Sequence, residues 1–450
     1  MVIKSSLMMV GVCSTVLLAA SAAIPPARET PAPAAPAPAA SPAATVDEAR
    51  NWPQWRGPLG TGEAPHAKPP LEWSETKNVR WKVPIPGVGK STPVVWNDLV
   101  FVTSAIPKTA PAKPGAADAV HQFVLFAMSR ADGKVKWQKT VYEGQPHEGT
   151  HQDGTFASGS ALTDGKRVYA YFGSRGLYAF DFTGKPLWDK QFGQMQTRMG
   201  FGEGNSPALH GDTMVIIWDH EGDDYVLGLD TATGKEKWRT ARDEPTTWAT
   251  PHIVVHGGRA QAVVPGTNKM ISYDLATGNV VWQTPGLTLN QIPSAVSGDG
   301  MVYAMGGFRG NMARAVKLSD AKGELTGPPG LVWSYEKDTP YVPSPLLYRG
   351  GLYFLKTNSG ILTYLDAPSG QAKYTERLAA VPNVYASPVA ADGRVYVTGR
   401  EGTTVVLAAG PKLEVLATNV LEDRMDSSPA LVGSDVFLRG AKHLYRVAAQ

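Results

Sequence analysis

Leu229-Asp230-Thr231-Ala232-Thr233-Gly234-Lys235-Glu236-Lys237-Trp238 and Tyr273-Asp274-Leu275-Ala276-Thr277-Gly278-Asn279-Val280-Val281-Trp282 are two copies of one unit: the end of a strand, a Gly-centred turn, and a strand that ends in Trp. Looser copies end at Trp137, Trp188, Trp333 and Tyr374, and a degenerate one runs through Lys412-Leu413-Glu414-Val415. An eighth closing strand, Asn78-Val79-Arg80-Trp81, lies at the other end of the chain. Each unit opens on a second repeat, seen in Ser91-Thr92-Pro93, Ser206-Pro207, Thr250-Pro251, Ser344-Pro345, Ser387-Pro388 and Ser428-Pro429, with Ser158-Gly159-Ser160 and Ile292-Pro293-Ser294 in the two remaining places. Proline suits the first residue of a strand, where no ladder donor is needed. Between these signals lie short β-branched and aromatic runs bounded by Gly turns, such as Gly393-Arg394-Val395-Tyr396-Val397, which read as strands.

Four short strands per unit at a spacing of roughly 40–50 residues are the pattern of a β-propeller. The last unit, from Ser427 to Val447, has three strands, and Val79-Arg80-Trp81 has no unit of its own. The N-terminal strand is therefore expected to complete the last blade, closing an all-β ring of eight blades and removing its free edges.

Composition sets outer bounds. With 43% hydrophobic and 18% charged residues the 450-residue chain is ordinary for a globular protein. A net charge of +3 without any Lys/Arg run among aromatics gives no footprint for nucleic acid. Residues 1–23 read as a secretory signal: Lys4, an apolar stretch from Leu7, and the small residues Ala20-Ser21-Ala22 at a cleavage site. The same stretch, about 18 residues through Ile24, is near the lower limit for a span and could instead stay as an uncleaved membrane tether. The one cysteine, Cys13, lies within it. Residues 24–50, almost only Pro and Ala as far as Ala44, read as an extended linker. The body, residues 51–450, is expected in the periplasm or outside the cell. A closed ring needs no partner for stability, so a monomer is expected.

With Trp52-Pro53-Gln54-Trp55-Arg56-Gly57-Pro58, the Trp-closed units and the Thr-Gly-Lys turns, the body resembles the bacterial PQQ-like β-propeller repeat family. That family holds both quinoprotein dehydrogenases and non-enzymatic propellers similar to the outer-membrane assembly factor BamB. The resemblance implies that each closing Trp packs on the neighbouring blade, with Ala127, Ala179, Gly228 and Ser272 leaving room for the indole; Tyr374 and Val415 would mark the weakest seams. For a dehydrogenase it implies a planar quinone on the axis over an aromatic floor, with Ca²⁺ beside it. By loop position Trp248 is the candidate floor, with Glu244, Asn290, Arg309 and Asp338 around it. Many quinoprotein alcohol dehydrogenases also carry a vicinal disulfide, which this chain cannot form.

Strand alternation puts the generic Gly and Asp turns on one face and the inter-blade loops, with the loops between second and third strands, on the other. The second set is richer in charge and aromatics, and loops on a rigid scaffold are where binding concentrates. Three motifs fall among the loops. His147-Glu148-Gly149-Thr150-His151 matches the zinc-protease pattern, but that chemistry needs a helix, and Pro146 and Gly149 oppose one. Gly87-Val88-Gly89-Lys90-Ser91-Thr92 resembles a phosphate loop, yet Pro84 stands where the pattern has Gly and a strand follows where it has a helix. Asp219-His220-Glu221-Gly222-Asp223-Asp224 is the densest acidic stretch; Asp219, Glu221 and Asp223 are its candidate metal ligands, as carboxylates suit Ca²⁺. No nucleophile–base–orienter set stands out. The sequence thus favours a non-catalytic propeller that binds an envelope protein or polysaccharide through one polar loop face. The alternative is a PQQ-dependent dehydrogenase of alcohols or sugars.

Overall fold

The computed structural model describes residues 46–449; the expected signal and most of the expected linker lie outside the described residues. After a four-residue helix, Val46–Ala49, the chain forms eight blades, seven of them consecutive antiparallel meanders. Blade 1 runs from Val94–Trp96 to Val135–Gly144, blade 2 from Leu162–Thr163 to Pro186–Lys190, and blade 3 from Ala208–His210 to Glu236–Ala241. Blade 4 runs from His252–His256 to Val280–Pro285, blade 5 from Val296–Gly298 to Leu331–Tyr335, blade 6 from Leu346–Tyr348 to Gln371–Arg377, and blade 7 from Val389–Ala391 to Val415–Val420. Blade 8 takes three strands from Ala430–Ala448 and its outer strand, Val79–Pro84, from the other end of the chain. Val79 faces Val447 and Pro84 faces His443 in that closing pair.

Burial follows position in the blade. Second strands such as Thr213–Trp218, covered by neighbouring blades, are buried along their whole length, whereas the outer strand Gln371–Arg377 is almost wholly exposed. The turn before each outer strand shows why its sequence recurs. In blade 3 the Asp230 carboxylate accepts from Thr233 N–H (2.8 Å) and Oγ1–H (2.6 Å), and Gly234 follows at φ 69°. An Asp can bond backbone two or three residues on, and Gly takes positive φ without strain.

The same glycine has a second duty. The Trp188 indole of blade 2 lies over Gly234, where a Cβ would meet it at 2.6 Å, and Trp188 Nε1–H donates to Thr231 O at 3.1 Å. Trp81, Trp137, Trp238 and Trp333 likewise donate to Arg130, Phe182, Leu275 and Ala367 carbonyls of the next blade, at 2.8–3.0 Å. Within their own blades five of these Trp face a small residue: Trp137 faces Ala127, Trp188 Ala179, Trp238 Gly228, Trp282 Ser272 and Trp333 Ala315, whereas Trp81 faces Arg446. The seams are thus built as the repeats indicate.

Three seams depart from the pattern, and in blade 6 the closing residue is Tyr374, which faces Tyr364 and stacks on it. Trp282 is wholly buried, and its Nε1–H donates to Gln261 Oε1 in its own blade (3.0 Å). The cause is blade 5, whose turn is replaced by a longer segment; Gly323–Glu324 of that segment pairs in parallel with Trp282–Gln283 as a fifth strand on blade 4. In blade 7 the place of the closing Trp is taken by Ala417, facing Val406, rather than by Val415, which faces Leu407 and is 52% exposed. Trp73, from the segment before the ring, packs into this seam instead, 6.3 Å from and nearly parallel to Tyr396.

That segment also closes one end of the axis. Trp52 exchanges both backbone hydrogen bonds with Val95 of blade 1, Pro53 O accepts from Thr163 of blade 2, and Gln54 Oε1 accepts from Leu209 of blade 3. Ala64 N–H donates to Ala390 O of blade 7, and Lys68 N–H to Gly433 O of blade 8. Arg56, 1% exposed, donates to the carbonyls of Thr61, Pro345 and Pro388 at 2.6–2.8 Å. Residues 51–69 thus form a plug stitched to blades on opposite sides of the ring. No helix among the described residues is long and apolar enough to cross a membrane.

Candidate functional site

The Ser/Thr before each inner strand builds the wall of the axis. The backbone N–H of Thr92 donates to Ser160 Oγ, and the pattern continues from Ser160 to Ser206, Thr250, Ser294, Ser344, Ser387 and Ser428, each step at 2.9–3.1 Å. Thr92 Oγ1–H closes the circuit onto Ser428 O at 3.1 Å. At six of the eight positions the next residue is proline, which withdraws one backbone donor, and the hydroxyl of the following blade satisfies the N–H that remains. Sequence reading saw these residues as strand openers; the Ser/Thr-Pro repeat was the signal, but the ladder between blades needs the ring geometry to appear.

Above this ladder, on the inter-blade loop face, an axial cavity of about 220 Å³ opens. Trp55 of the plug lines its depth, and Phe201, Trp248, Tyr341 and Tyr385 supply aromatic walls. Trp248 is held by its indole N–H, which donates to Gly202 O at 2.7 Å.

The charged groups at the mouth bind one another. Asp426 pairs with Lys90 (2.7 Å), Arg400 (2.8 Å) and Arg424 (3.1 Å). Asp153 pairs with Arg400 and Arg424 and accepts from Tyr385 Oη at 3.1 Å. The Arg400 guanidinium lies 3.8 Å over the Tyr385 ring. Burial pushes the Asp426 carboxyl up, but Lys90 and Arg400 outweigh it and hold it below its ordinary value. These five ionic residues are scattered across the sequence, and no motif joined them.

Of the residues proposed for a quinone, the structure brings Trp248 alone to the cavity. Glu244, 4% exposed, accepts from the N–H groups of Asn268 and Lys269 at 2.7–2.8 Å, and burial raises its pKa. Asn290 is buried with Oδ1 unpartnered, but it does not line the cavity. Arg309 is exposed beside Phe308, and Asp338 pairs with Lys356 at 2.8 Å. The carboxylate–amide set that a Ca²⁺ beside the quinone would need is not assembled by these residues, and no chemical step through the cofactor follows from them.

The acidic stretch also turns its carboxylates apart. Asp219, 1% exposed, receives two bonds from Arg242 (2.7 and 3.1 Å) and one from Thr247 Oγ1 (2.8 Å). Glu221 accepts from Thr246 N–H and Oγ1–H, while Asp223 is exposed. Among the described residues the one group of metal-type side chains whose ligand atoms lie within 4.8 Å of one another is His147, Glu148 and Glu203. His147 Nε2 is 2.6 Å from Met195 O, and Nδ1 accepts from Arg175 at 2.9 Å. Its lone pair is therefore taken by a cation. Residues 145–151 are irregular, not helical, and His151 lines the axial cavity edge-on to Phe201; the two histidines of the zinc-type motif thus serve different surroundings. Glu203, the third member of this trio, accepts from Ser174 N–H at 2.6 Å. Burial, with a smaller contribution from Glu148, pushes its pKa up to about 7.

An eight-bladed, Trp-docked propeller with one plugged axial end and one open cavity is thus the class of molecule that fold and site define. The chain belongs to the PQQ-type propeller family described as outer membrane protein assembly factor BamB, whose model matches residues 71–199, 121–315 and 222–450. Among solved structures it is similar to BamB from Moraxella catarrhalis, at 12% identity and a TM-score of 0.57, covering 82% of this chain and 99% of that one. A europium-containing methanol dehydrogenase gives 10% identity and a TM-score of 0.62 (89% and 98% covered). A quinohemoprotein alcohol dehydrogenase from Comamonas testosteroni gives 11% and 0.58 (90% and 81%). At these identities the likeness is one of fold. No match is found among curated protein sequences.

Proposed function

We propose that this propeller is a non-catalytic binding or scaffold protein of the cell envelope, and that its partner docks on the inter-blade loop face with an apolar or aromatic side chain in the axial cavity. One observation carries this reading. The cavity is walled by aromatics and hydroxyls, Asp153 and Asp426 are held by Lys90, Arg400 and Arg424, and the third carboxyl of its lining, Glu203, is engaged by Ser174 N–H. A carboxylate tied to cations by several bonds is a poor general base, because its proton affinity is lowered. The same arrangement is a rigid rim around an aromatic pocket, the form that anchor residues of a partner occupy at interfaces. Family membership fits an envelope location, with a protein favoured over a polysaccharide as partner.

The second reading, a PQQ-dependent dehydrogenase, is favoured by Trp248 in the axial cavity. One experiment separates the two. The melting temperature of the protein is measured with and without PQQ plus Ca²⁺, and quinone absorbance is read after desalting; a photo-crosslinking residue at Trp248 is then used in intact cells. The binding reading expects no thermal shift, no retained chromophore, and a discrete crosslinked protein. A clear shift with retained chromophore would transfer the site to the cofactor.

A further inference from the structure

The buried arginines of this protein are treated unequally. Arg242 meets Asp219 with two bonds, and Arg56 gives its protons to three backbone carbonyls. Arg175 lies beside His147 and Glu203. Arg439 is 2% exposed and has, among the described residues, a single hydrogen bond, from Nη1 to Ser91 Oγ, and no carboxylate partner. Burial alone acts on it and lowers its pKa to about 9, so it remains a cation at neutral pH. A buried guanidinium with most of its five donors unengaged calls for an anion.

Arg439 lines a cavity of about 250 Å³ beside the axial one, between blades 8 and 1; Lys90, Gly154 and Asp426 form the shared wall. The segment that resembled a phosphate loop is part of this cavity. Gly89 has no side chain, and a Cβ there would lie 2.3 Å from Arg439 Nη2. One side of the cavity is apolar, with Pro107, Pro111, Pro114, Ala116 and Phe156, and Val88 54% exposed at the edge, while His121, Gln152 and Thr155 add neutral polar groups to the lining. Lys90 and Arg424 also face the cavity, but both are paired with Asp426. Among the described residues lining the cavity, Arg439 is the cation left without a carboxylate partner, which suits one negative charge. A planar guanidinium matches a planar carboxylate in two parallel bonds.

We propose that this lateral cavity binds a small amphiphilic carboxylate, its head on Arg439 and its apolar stem against Pro107, Ala116 and Phe156. The site is separate from the axial cavity and does not depend on how that cavity is used. Isothermal titration of the protein with octanoate, 1-octanol and sulfate tests it. Octanoate binds one site, and octanol and sulfate bind at least tenfold more weakly. Arg439→Met removes octanoate binding. Ala116→Trp, which fills the cavity from a loop and leaves the buried charge alone, weakens it at least tenfold with an unchanged melting temperature, so the test survives if the arginine variant does not fold. Absence of octanoate binding, or equal binding by Ala116→Trp, overturns the proposal. Sulfate equal to octanoate removes the apolar half, and octanol equal to octanoate removes the ionic half.

Discussion

Replacing Glu203 by Gln makes stability less dependent on pH. In the folded protein this carboxyl is raised from 4.5 to about 7, chiefly by burial. A carboxyl that binds its proton more tightly when folded adds stability below its unfolded pKa, and loses it as pH rises through the folded one. The window is therefore pH 4.5 to about 7. At about 1.4 kcal/mol per tenfold change in proton affinity the upper bound is ~3.4 kcal/mol. Glu203 lines the axial cavity and is only half-buried, so solvent lowers this to about 2 kcal/mol. Glutamine keeps an oxygen for the Ser174 N–H and has no charge to gain. Thermal shifts are a poor readout, since at about 2 cal/mol/K per residue a chain this long moves only ~1 °C per kcal/mol. Urea denaturation of the parent and Glu203→Gln between pH 5 and 8 is the assay. The parent should lose about 2 kcal/mol more than the variant across that range. Parallel pH profiles would refute the burial argument.

Other perturbations give distinct outcomes. Gly278→Ala puts a Cβ 2.5 Å from the Trp238 indole at φ 74°, and should cost about 2–4 kcal/mol in urea denaturation. Gly211→Ala, with φ 60° and open space around it, should cost only ~1 kcal/mol; equal costs would deny the glycine its docking duty. Arg56→Ala strips three buried carbonyls of their donor and should cost about 3–5 kcal/mol, with Arg56→Lys recovering part of it in the same assay. Chelator should leave the urea midpoint unchanged, while Asp219→Ala, which leaves buried Arg242 without its carboxylate, should cost about 3–5 kcal/mol; a chelator-induced fall in the midpoint would return the acidic loop to metal binding.

The ring was legible in the sequence because its determinants are local and repeated. The Asp-x-x-Thr-Gly turn, the Trp four residues beyond its glycine, and a three-strand last unit matched to a spare strand at the start are all visible without coordinates. What was hidden depends on contacts between distant segments. Nothing near Ala417 announces that Trp73 fills its seam, and nothing in residues 318–330 shows that Gly323–Glu324 pairs with another blade. The site was harder for the same reason. Loop order selects a face but not the direction of a side chain: Trp248 turns to the axis, while Glu244 and Asp219 turn back to hold their own neighbourhoods. Lys90, Asp153, Arg400 and Asp426 meet only when blade 8 lies beside blade 1.

The union of Val79–Pro84 with His443–Ala448 also orders events in time. The first strand of the ring has no partner until His443–Ala448 has been made. Until then the ring is a crescent with two open edges, each able to pair with another molecule. Contacts between residues so far apart in sequence also form slowly. Losing the strand His443–Ala448 would leave Val79–Pro84 without a partner, returning every molecule to that crescent for good.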